Sequence, residues 1–162
     1  MLLRGKIFSD ARIVLMVLCL ISVFSLGGAY GAEHFFGLKP CVLCLYQRYA
    51  YMVAGSLALL GVFYPKKEMI LAVGLAFLIG GGIAFYQVGI EWGIFQLPSI
   101  CKTTSFARSS IGDMKDQLLH QPLVSCDKPA WEMFGISMAG YNGLFSLCLL
   151  IYSWIAFRKT SS

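Results

Sequence analysis

Four long runs of apolar residues, none containing a charged side chain, dominate the sequence. They cover residues 13–32, 49–65, 69–90 and 133–157. A helix needs about 20 residues, with a range of roughly 17–25, to cross the hydrocarbon core of a bilayer. Each run meets this requirement, and the second extends back to the interface to give a span of 43–64. Because lipid offers no partner to unpaired backbone groups, the runs are predicted to be transmembrane helices.

The order of the runs predicts an all-α integral membrane protein. We expect a four-transmembrane-helix bundle of two hairpins, in which residues 1–162 form a single domain. The outer segments are 33–42 and 91–132, and a connection as long as the second is usually functional or disordered. Within it Ala107, Ile111, Met114 and Leu118 recur at helical spacing. This pattern predicts a short amphipathic helix on the membrane surface, with a solvated loop of chance periodicity as the alternative.

The composition supports a membrane environment, since 58% of residues are hydrophobic and 13% are charged. The formal net charge of +5 lies entirely on one side of the predicted bundle. That side carries Arg4, Lys6, Arg12, Lys66, Lys67, Arg158 and Lys159 against Asp10 and Glu68. Basic residues in short loops mark the cytoplasmic side, so both termini are predicted to be cytoplasmic. The basic balance therefore indicates topology rather than binding to nucleic acid.

The first run also has features of a cleavable signal peptide. Basic residues precede it, and small residues lie near its end at 29–32. Its length exceeds the 7–15 residues that are usual for the apolar core of a signal peptide. We therefore expect this run to be retained as the first span.

Six cysteines are present, and they fall into two groups. Cys19 and Cys148 lie inside predicted spans, where a lone cysteine is usually a small apolar packing residue. The other four lie on the predicted outer side, and they are Cys41, Cys44, Cys101 and Cys126. Disulfides persist on that side in bacteria, and four cysteines allow three pairings. Proximity in the sequence favours the pairs Cys41–Cys44 and Cys101–Cys126.

The first pair forms a Cys-x-x-Cys at a predicted helix start, directly after Pro40. A helix N-terminus presents free N–H groups and the positive end of the helix dipole, which stabilise a thiolate. Arg48 follows Cys44 by four residues, which places both on one helical face. A cation there stabilises a thiolate, and it equally stabilises a reduced, anionic quinone.

Three alternatives to this redox interpretation remain open at this point. The four cysteines are also a possible zinc site, although the second pair lacks the short spacing of zinc modules. A non-enzymatic scaffold braced by two structural disulfides is another possibility, although a bridge across one helical turn constrains little chain. Taken by itself, Arg48 is also explained as an interfacial residue whose long side chain snorkels to the polar surface of the membrane.

Residues 40–48, Pro-Cys-Val-Leu-Cys-Leu-Tyr-Gln-Arg, closely resemble the signature of the bacterial disulfide bond formation protein B family, DsbB. The resemblance extends over nearly the whole chain, since it includes four spans and a long outer loop with two further cysteines. It also includes the run Gly-Ile-Ser-Met-Ala-Gly-Tyr-Asn at 135–142, which opens the fourth span.

The resemblance implies a membrane oxidoreductase of the bacterial inner membrane. Family members reoxidise DsbA, a soluble periplasmic thioredoxin-like oxidase, and pass the electrons to non-covalently bound ubiquinone or menaquinone. By this resemblance the partner attacks Cys101, with Cys126 as its loop companion, and Cys41 exchanges with the loop pair. Cys44 then lies next to the quinone, and Arg48 holds the quinone ring. The resemblance implies no metal.

Two positions depart from the pattern of many family members. Gln47 stands where some members carry Glu, and Gln87 stands where many carry His. Because an amide does not relay protons as Glu or His does, no proton donor to the quinone is carried over. Glu33, His34 and Glu91 remain candidate donors near the outer face. A related oxidase that serves a dedicated partner instead of a general DsbA is also compatible with the sequence.

Overall fold

Four long helices account for most of the structure, a computed structural model that describes residues 10–98, 101, 125–129 and 131–160. They are α1 (Ala11–Phe36), α2 (Val42–Phe63), α3 (Lys67–Glu91) and α4 (Met138–Thr160). Each helix packs mainly on its neighbour in the chain, so that α2 lies between α1 and α3, and α3 lies between α2 and α4. The prediction of a mostly helical chain is confirmed.

Three of these helices, α1, α3 and α4, are long and apolar enough to cross a membrane. The predicted count of four spans is therefore supported only in part, because α2 does not belong to this set. Its first three turns carry Gln47, Arg48 and three tyrosines, which dilute its apolar character. The amphipathic helix predicted around 107–118 lies outside the described residues.

The start of α2 is fixed by a sulfur atom. Cys41 is the N-cap residue, and its Sγ accepts a hydrogen bond from the backbone N–H of Cys44 at 3.3 Å. A side-chain acceptor at this position satisfies one of the N–H groups that a helix leaves unpaired at its start. The preceding helix α1 ends at Gly37, whose φ of 65° is the left-handed conformation that favours glycine. The short connection between them brings the end of α1 and the start of α2 to the same end of the bundle.

A two-stranded hairpin precedes α4, with β1 at Glu132–Met133 paired antiparallel to β2 at Ile136–Ser137. Its turn residues Phe134 and Gly135 have φ values of 54° and 74°. Two positive φ values in a two-residue turn are typical of a type I′ hairpin. The helix consequently begins at Met138 and not at residue 133, where the sequence predicted the fourth span to begin.

The interior of the bundle is narrow and built largely from small or aliphatic side chains. Its fully buried members include Leu15 and Leu18 of α1, Ala54 of α2, and Ile70 and Phe77 of α3. Large apolar side chains cover the outside as well, and the Phe24 side chain on α1 is 77% exposed. An apolar exterior around a helical bundle matches a lipid environment.

Close contact between α2 and α3 generates a testable prediction. A Cβ added at Gly80 would lie 2.9 Å from the Cβ of Ala50, whereas one added at Gly82 meets nothing within 4 Å. We expect Gly80→Ala to lower the free energy of unfolding by about 1–3 kcal/mol through overpacking. The matched Gly82→Ala should be neutral or stabilising by up to about 1 kcal/mol, because alanine favours a helix. Denaturant-driven unfolding of the purified variants measures both effects, and equal effects would contradict this packing.

Candidate redox site

The four cysteines that the sequence predicted on the outer side meet near the N-terminal end of α2, three of them in one buried cluster. Cys101 and Cys126 are joined by a disulfide, and their side chains are 2% and 1% exposed. Cys41 packs in the same cluster and is 5% exposed, together with Leu43 and Ile90. Cys44 contacts the edge of this cluster. The two cysteine pairs are thus neighbours in space although they are far apart in the sequence.

The sulfur atoms of Cys41 and Cys44 are 2.8 Å apart and share a hydrogen bond. This hydrogen bond, reinforced by burial, raises the pKa of the Cys41 thiol well above its ordinary value. The backbone N–H of Cys44 acts in the opposite sense but is outweighed. At neutral pH Cys41 therefore keeps its proton, and negative charge on the reduced pair resides on the Cys44 sulfur.

A cavity of about 250 Å³ lies beside Cys44, and its lining includes Cys44 but none of the other three cysteines of this cluster. Residues from all four helices and from the connection between α1 and α2 line it. The apolar part of the wall includes Leu26, Gly28, Ala29, Ala32, Leu38, Pro40, Met138 and Ala139. The polar groups at its wall include Lys39, Cys44, Gln47, Arg48, Gln87, Glu91 and Asn142.

Arg48 points its guanidinium toward α1. Its Nη1 pairs with the Glu33 carboxylate at 2.5 Å, and its Nη2 donates to the backbone carbonyl of Ala29 at 3.2 Å. The guanidinium carbon also lies 4.9 Å from the centre of the Tyr30 ring, within range of a cation–π interaction. The Arg48 side chain is only 13% exposed, so this pairing offsets the cost of holding a cation inside an apolar bundle.

Besides Cys41, Gln87 of α3 makes polar contact with the Cys44 sulfur, from which its Oε1 lies 3.7 Å away. Its Nε2 is 3.5 Å from Cys44 Sγ and 3.3 Å from the Glu91 carboxylate. An N–H that donates to sulfur favours the thiolate form of a cysteine over the thiol. In this site the Cys44 sulfur therefore has an N–H donor from Gln87, and Cys41 keeps its proton.

The structure places the sequence-predicted site residues in two connected groups. Cys41, Cys101 and Cys126 lie in the buried cluster, and Cys44 and Arg48 both line the cavity. Of the three candidate proton donors, Glu91 lines the cavity and Glu33 pairs with Arg48. His34 is exposed and does not line the cavity.

Three contributions to the site were missed by sequence reasoning. They are the Tyr30 ring and the Ala29 carbonyl, which hold Arg48, and the Asn142 amide in the cavity wall. Asn142 had a usable signal, because a polar side chain in an otherwise apolar span marks a functional candidate. The Ala29 carbonyl had none, since any residue supplies a backbone oxygen.

The zinc alternative requires four free thiolates. A disulfide joins two of the four sulfur atoms, which leaves only Cys41 and Cys44 in this region as free thiols. The geometry thus favours thiol–disulfide chemistry over metal binding at these cysteines.

The fold and the site together define a class, namely a multi-pass helical membrane protein with a thiol–disulfide centre at one end of its bundle. The family model described as "Disulfide bond formation protein DsbB" matches residues 11–156, and the chain belongs to this family. It is therefore an oxidoreductase that functions in disulfide bond formation.

Several curated proteins are similar to this chain. Disulfide bond formation protein B of Dechloromonas aromatica (strain RCB) is 30% identical over 132 residues, which are 75% of this chain and 77% of the relative. The protein of the same name from Haemophilus influenzae (strain ATCC 51907 / DSM 11121 / KW20 / Rd) is 30% identical over 163 residues, which are 93% of this chain and 89% of the relative. Uncharacterized protein RP370 of Rickettsia prowazekii (strain Madrid E) is 33% identical over 145 residues, which are 87% of this chain and 84% of the relative.

Proposed function

We propose that this protein is a thiol:quinone oxidoreductase that reoxidises a periplasmic DsbA-like thiol oxidase. The electrons pass to ubiquinone or menaquinone, which supports disulfide formation in exported proteins. One observation carries the proposal: Cys41 is packed with the loop disulfide, while Cys44, one helical turn away, lines a cavity together with Arg48. The pair thus connects a disulfide to a ligand site.

This function requires α2 to cross the membrane with the other three helices. Although α2 is less apolar, it lies between α1 and α3, both of which are apolar enough to span. Its polar residues Gln47 and Arg48 have partners within the bundle instead of facing lipid. We infer four spans in the bacterial inner membrane, with cytoplasmic termini and the cysteines at the periplasmic end.

The cavity fits the head group of a quinone. Drug-sized ligands occupy roughly 300–1,000 Å³, so a cavity of about 250 Å³ accommodates one ring rather than a whole lipid. Its wall is apolar on the α1 side, and polar donors from Arg48 and Asn142 reach it. When bound, a quinone supplies the oxidising capacity, because it takes up two electrons and two protons.

The route of electrons follows from thiol–disulfide exchange, in which a thiolate attacks a disulfide sulfur. A dithiol partner attacks Cys101, which opens the Cys101–Cys126 disulfide, and the partner leaves with its own disulfide closed. A loop thiolate then attacks Cys41 in the oxidised Cys41–Cys44 pair, and Cys44 leaves as the thiolate. The second loop thiolate displaces Cys41, so the loop disulfide re-forms and both electrons rest on the Cys41–Cys44 dithiol.

The residues around the pair favour this direction of transfer. Cys41 takes up a proton when it is displaced, because its pKa is raised by the contact with Cys44 and by burial. Cys44 retains negative charge beside the cavity, where Arg48 supplies a positive charge. Re-forming the Cys41–Cys44 bond from the Cys41 thiol and the Cys44 thiolate releases two electrons and one proton. The second proton that a quinone takes up comes from water, to which the partner's thiols released theirs during the exchange.

Entry of electrons requires a change at the loop disulfide. Cys101 is 2% exposed, so a thiolate from another protein does not reach it in this arrangement. The closed arrangement therefore suits exchange between the two cysteine pairs. Exchange with the partner needs Cys101 to be uncovered, and the long outer segment provides the chain length for that.

The direct test combines the purified protein with a reduced thioredoxin-fold oxidase and a short-tailed quinone analogue. We expect one quinone to be reduced for each dithiol oxidised, measured by quinone absorbance and thiol titration. Replacing Cys19 and Cys148 by alanine should leave this rate unchanged. Cys101→Ser should abolish turnover with the oxidase but preserve quinone reduction when a small dithiol is supplied. Loss of thiols without quinone reduction would contradict the function, and so would normal turnover in Cys101→Ser.

A second prediction separates the role of Arg48 from its contact with α1. Arg48→Met should slow quinone reduction by about a hundredfold, because it removes a preorganised cation from the cavity. Exchange between the partner and the loop disulfide, measured in one turnover without quinone, should stay within about twofold.

Glu33→Gln is the matched control, since it breaks the same ion pair but keeps the cation. We expect it to retain most of the quinone activity. Equal losses in Arg48→Met and Glu33→Gln would mean that Arg48 only ties α2 to α1, and equal losses in both half-reactions would also exclude the proposed role.

A further inference from the structure

Three amide side chains, two of them buried and that of Asn142 half-buried, form a continuous line from α4 through α2 to α3. Asn142 Nδ2 donates to Gln47 Oε1 at 2.6 Å, and Gln47 Nε2 donates to Gln87 Oε1 at 2.9 Å. The line ends where Gln87 Nε2 approaches the Cys44 sulfur at 3.5 Å. The Gln47 and Gln87 side chains are only 5% and 4% exposed. Both therefore depend on partners within the protein for their hydrogen bonds.

The amide line has a direction, because each amide has one donor end and one acceptor end. In the observed direction Asn142 donates to Gln47 and Gln47 donates to Gln87, which leaves the N–H group of Gln87 to face Cys44 and Glu91. The Gln87 oxygen, which accepts from Gln47, also lies 3.7 Å from the Cys44 sulfur and accepts from it when Cys44 is a thiol. In the reverse direction the carbonyl oxygen of Gln87 would face both the Cys44 sulfur and the Glu91 carboxylate. An ionised carboxylate only accepts hydrogen bonds, so Glu91, 3.3 Å from Gln87 Nε2, opposes that reversal.

We propose that this amide line is a positioning device, in which Gln87 holds the Cys44 sulfur as the thiolate and Asn142 and Gln47 keep Gln87 in the donating orientation. The inference deepens the proposed function and rests on it, since the Cys44 thiolate is the group that gives up electrons there. Gln87 contacts the reacting sulfur itself. Asn142 and Gln47 act only through Gln87, so they are positioning residues.

The physical basis is the low polarity of the surroundings. A thiolate away from bulk water is stabilised by whatever donors the protein has already oriented toward it. Within a network of hydrogen-bonded amides, each bond polarises the next, so a change at Asn142 is transmitted to Gln87. No proton moves along the line, because an amide serves as a fixed donor and acceptor.

The charged and titratable side chains around Cys44 come from three helices and the connection before α2. They are Lys39, Arg48, Tyr51 and Glu91 at the cavity, Cys41 in direct contact with the Cys44 sulfur, and Glu33 paired to Arg48. The described residues of α4 in the cavity wall are Met138, Ala139 and Asn142, none of which is charged. An effect of Asn142 on Cys44 therefore has to pass through hydrogen bonding instead of through charge.

The test measures Cys44 alone in the full-length protein, with Cys41 replaced by serine, which keeps a capping acceptor, and the other four cysteines replaced by alanine. Iodoacetamide reacts with the thiolate, so the alkylation rate at pH 7 reports the fraction of Cys44 in that form. We expect Gln87→Met to slow alkylation about tenfold, the effect of one lost hydrogen bond to a charged group. Asn142→Ala, which removes an amide without adding bulk, should slow it roughly threefold.

Ser146→Ala is the matched control. Ser146 lies one turn after Asn142 on α4, is buried, and bonds to the Tyr51 hydroxyl at 3.1 Å outside the amide line. We expect it to leave the alkylation rate unchanged. Thermal unfolding of each variant is measured alongside, and if Gln87→Met does not fold, Asn142→Ala carries the test.

The pH dependence of the alkylation rate distinguishes stabilisation of the Cys44 thiolate from a purely structural role of the amide line. Under the proposal the deficits of Gln87→Met and Asn142→Ala shrink as the pH rises above 7, because these variants lower the thiolate fraction and not the access of the reagent to the sulfur. Deficits that persist at high pH, or an Asn142→Ala rate equal to that of Ser146→Ala, overturn the proposal. The assay contains neither quinone nor partner, so its failure is distinct from failure of the oxidoreductase function, which quinone reduction measures separately.

Discussion

The arrangement of the site depends on the first turn of α2. The Cys41 sulfur caps this helix, and the resulting geometry brings the Cys44 sulfur to 2.8 Å. Cys41 then faces the loop disulfide, and Cys44 faces the cavity. Because the two thiols are one turn apart on one helix, Cys41 packs with the disulfide cluster while Cys44 lines the cavity. A different start to α2 would separate them.

A second constraint is that polar groups inside an apolar bundle need partners. Arg48 finds them on α1, in the Glu33 carboxylate and the Ala29 carbonyl. Gln47 and Gln87 find them in each other and in Asn142 of α4. These bonds connect α2 to all three other helices around the cavity. The same contacts that satisfy the buried groups therefore also shape the cavity beside Cys44.

Much of the fold and the centre of the site could be predicted from local patterns in the sequence. Charge-free runs predicted the long helices, and Cys-x-x-Cys after Pro40 predicted a thiol pair at a helix start. The later start of α4 was not predictable from hydrophobicity, because it depends on the positive φ values of Phe134 and Gly135. The partners of Arg48 and the amide line were also beyond sequence reasoning, since they join residues on different helices. The span at α2 remained ambiguous because its functional polar residues lower its apolar character.

The central claim is that both cysteine pairs lie at the outer end of a bundle in which α2 also crosses the membrane. Lys39 and Lys66 are exposed residues on either side of α2. In a background without native cysteines, Lys39→Cys and Lys66→Cys can each be treated in intact cells with a membrane-impermeant maleimide. The account predicts labelling of Lys39→Cys in intact cells and of Lys66→Cys only after permeabilisation. The opposite pattern, or the same pattern at both positions, would contradict it.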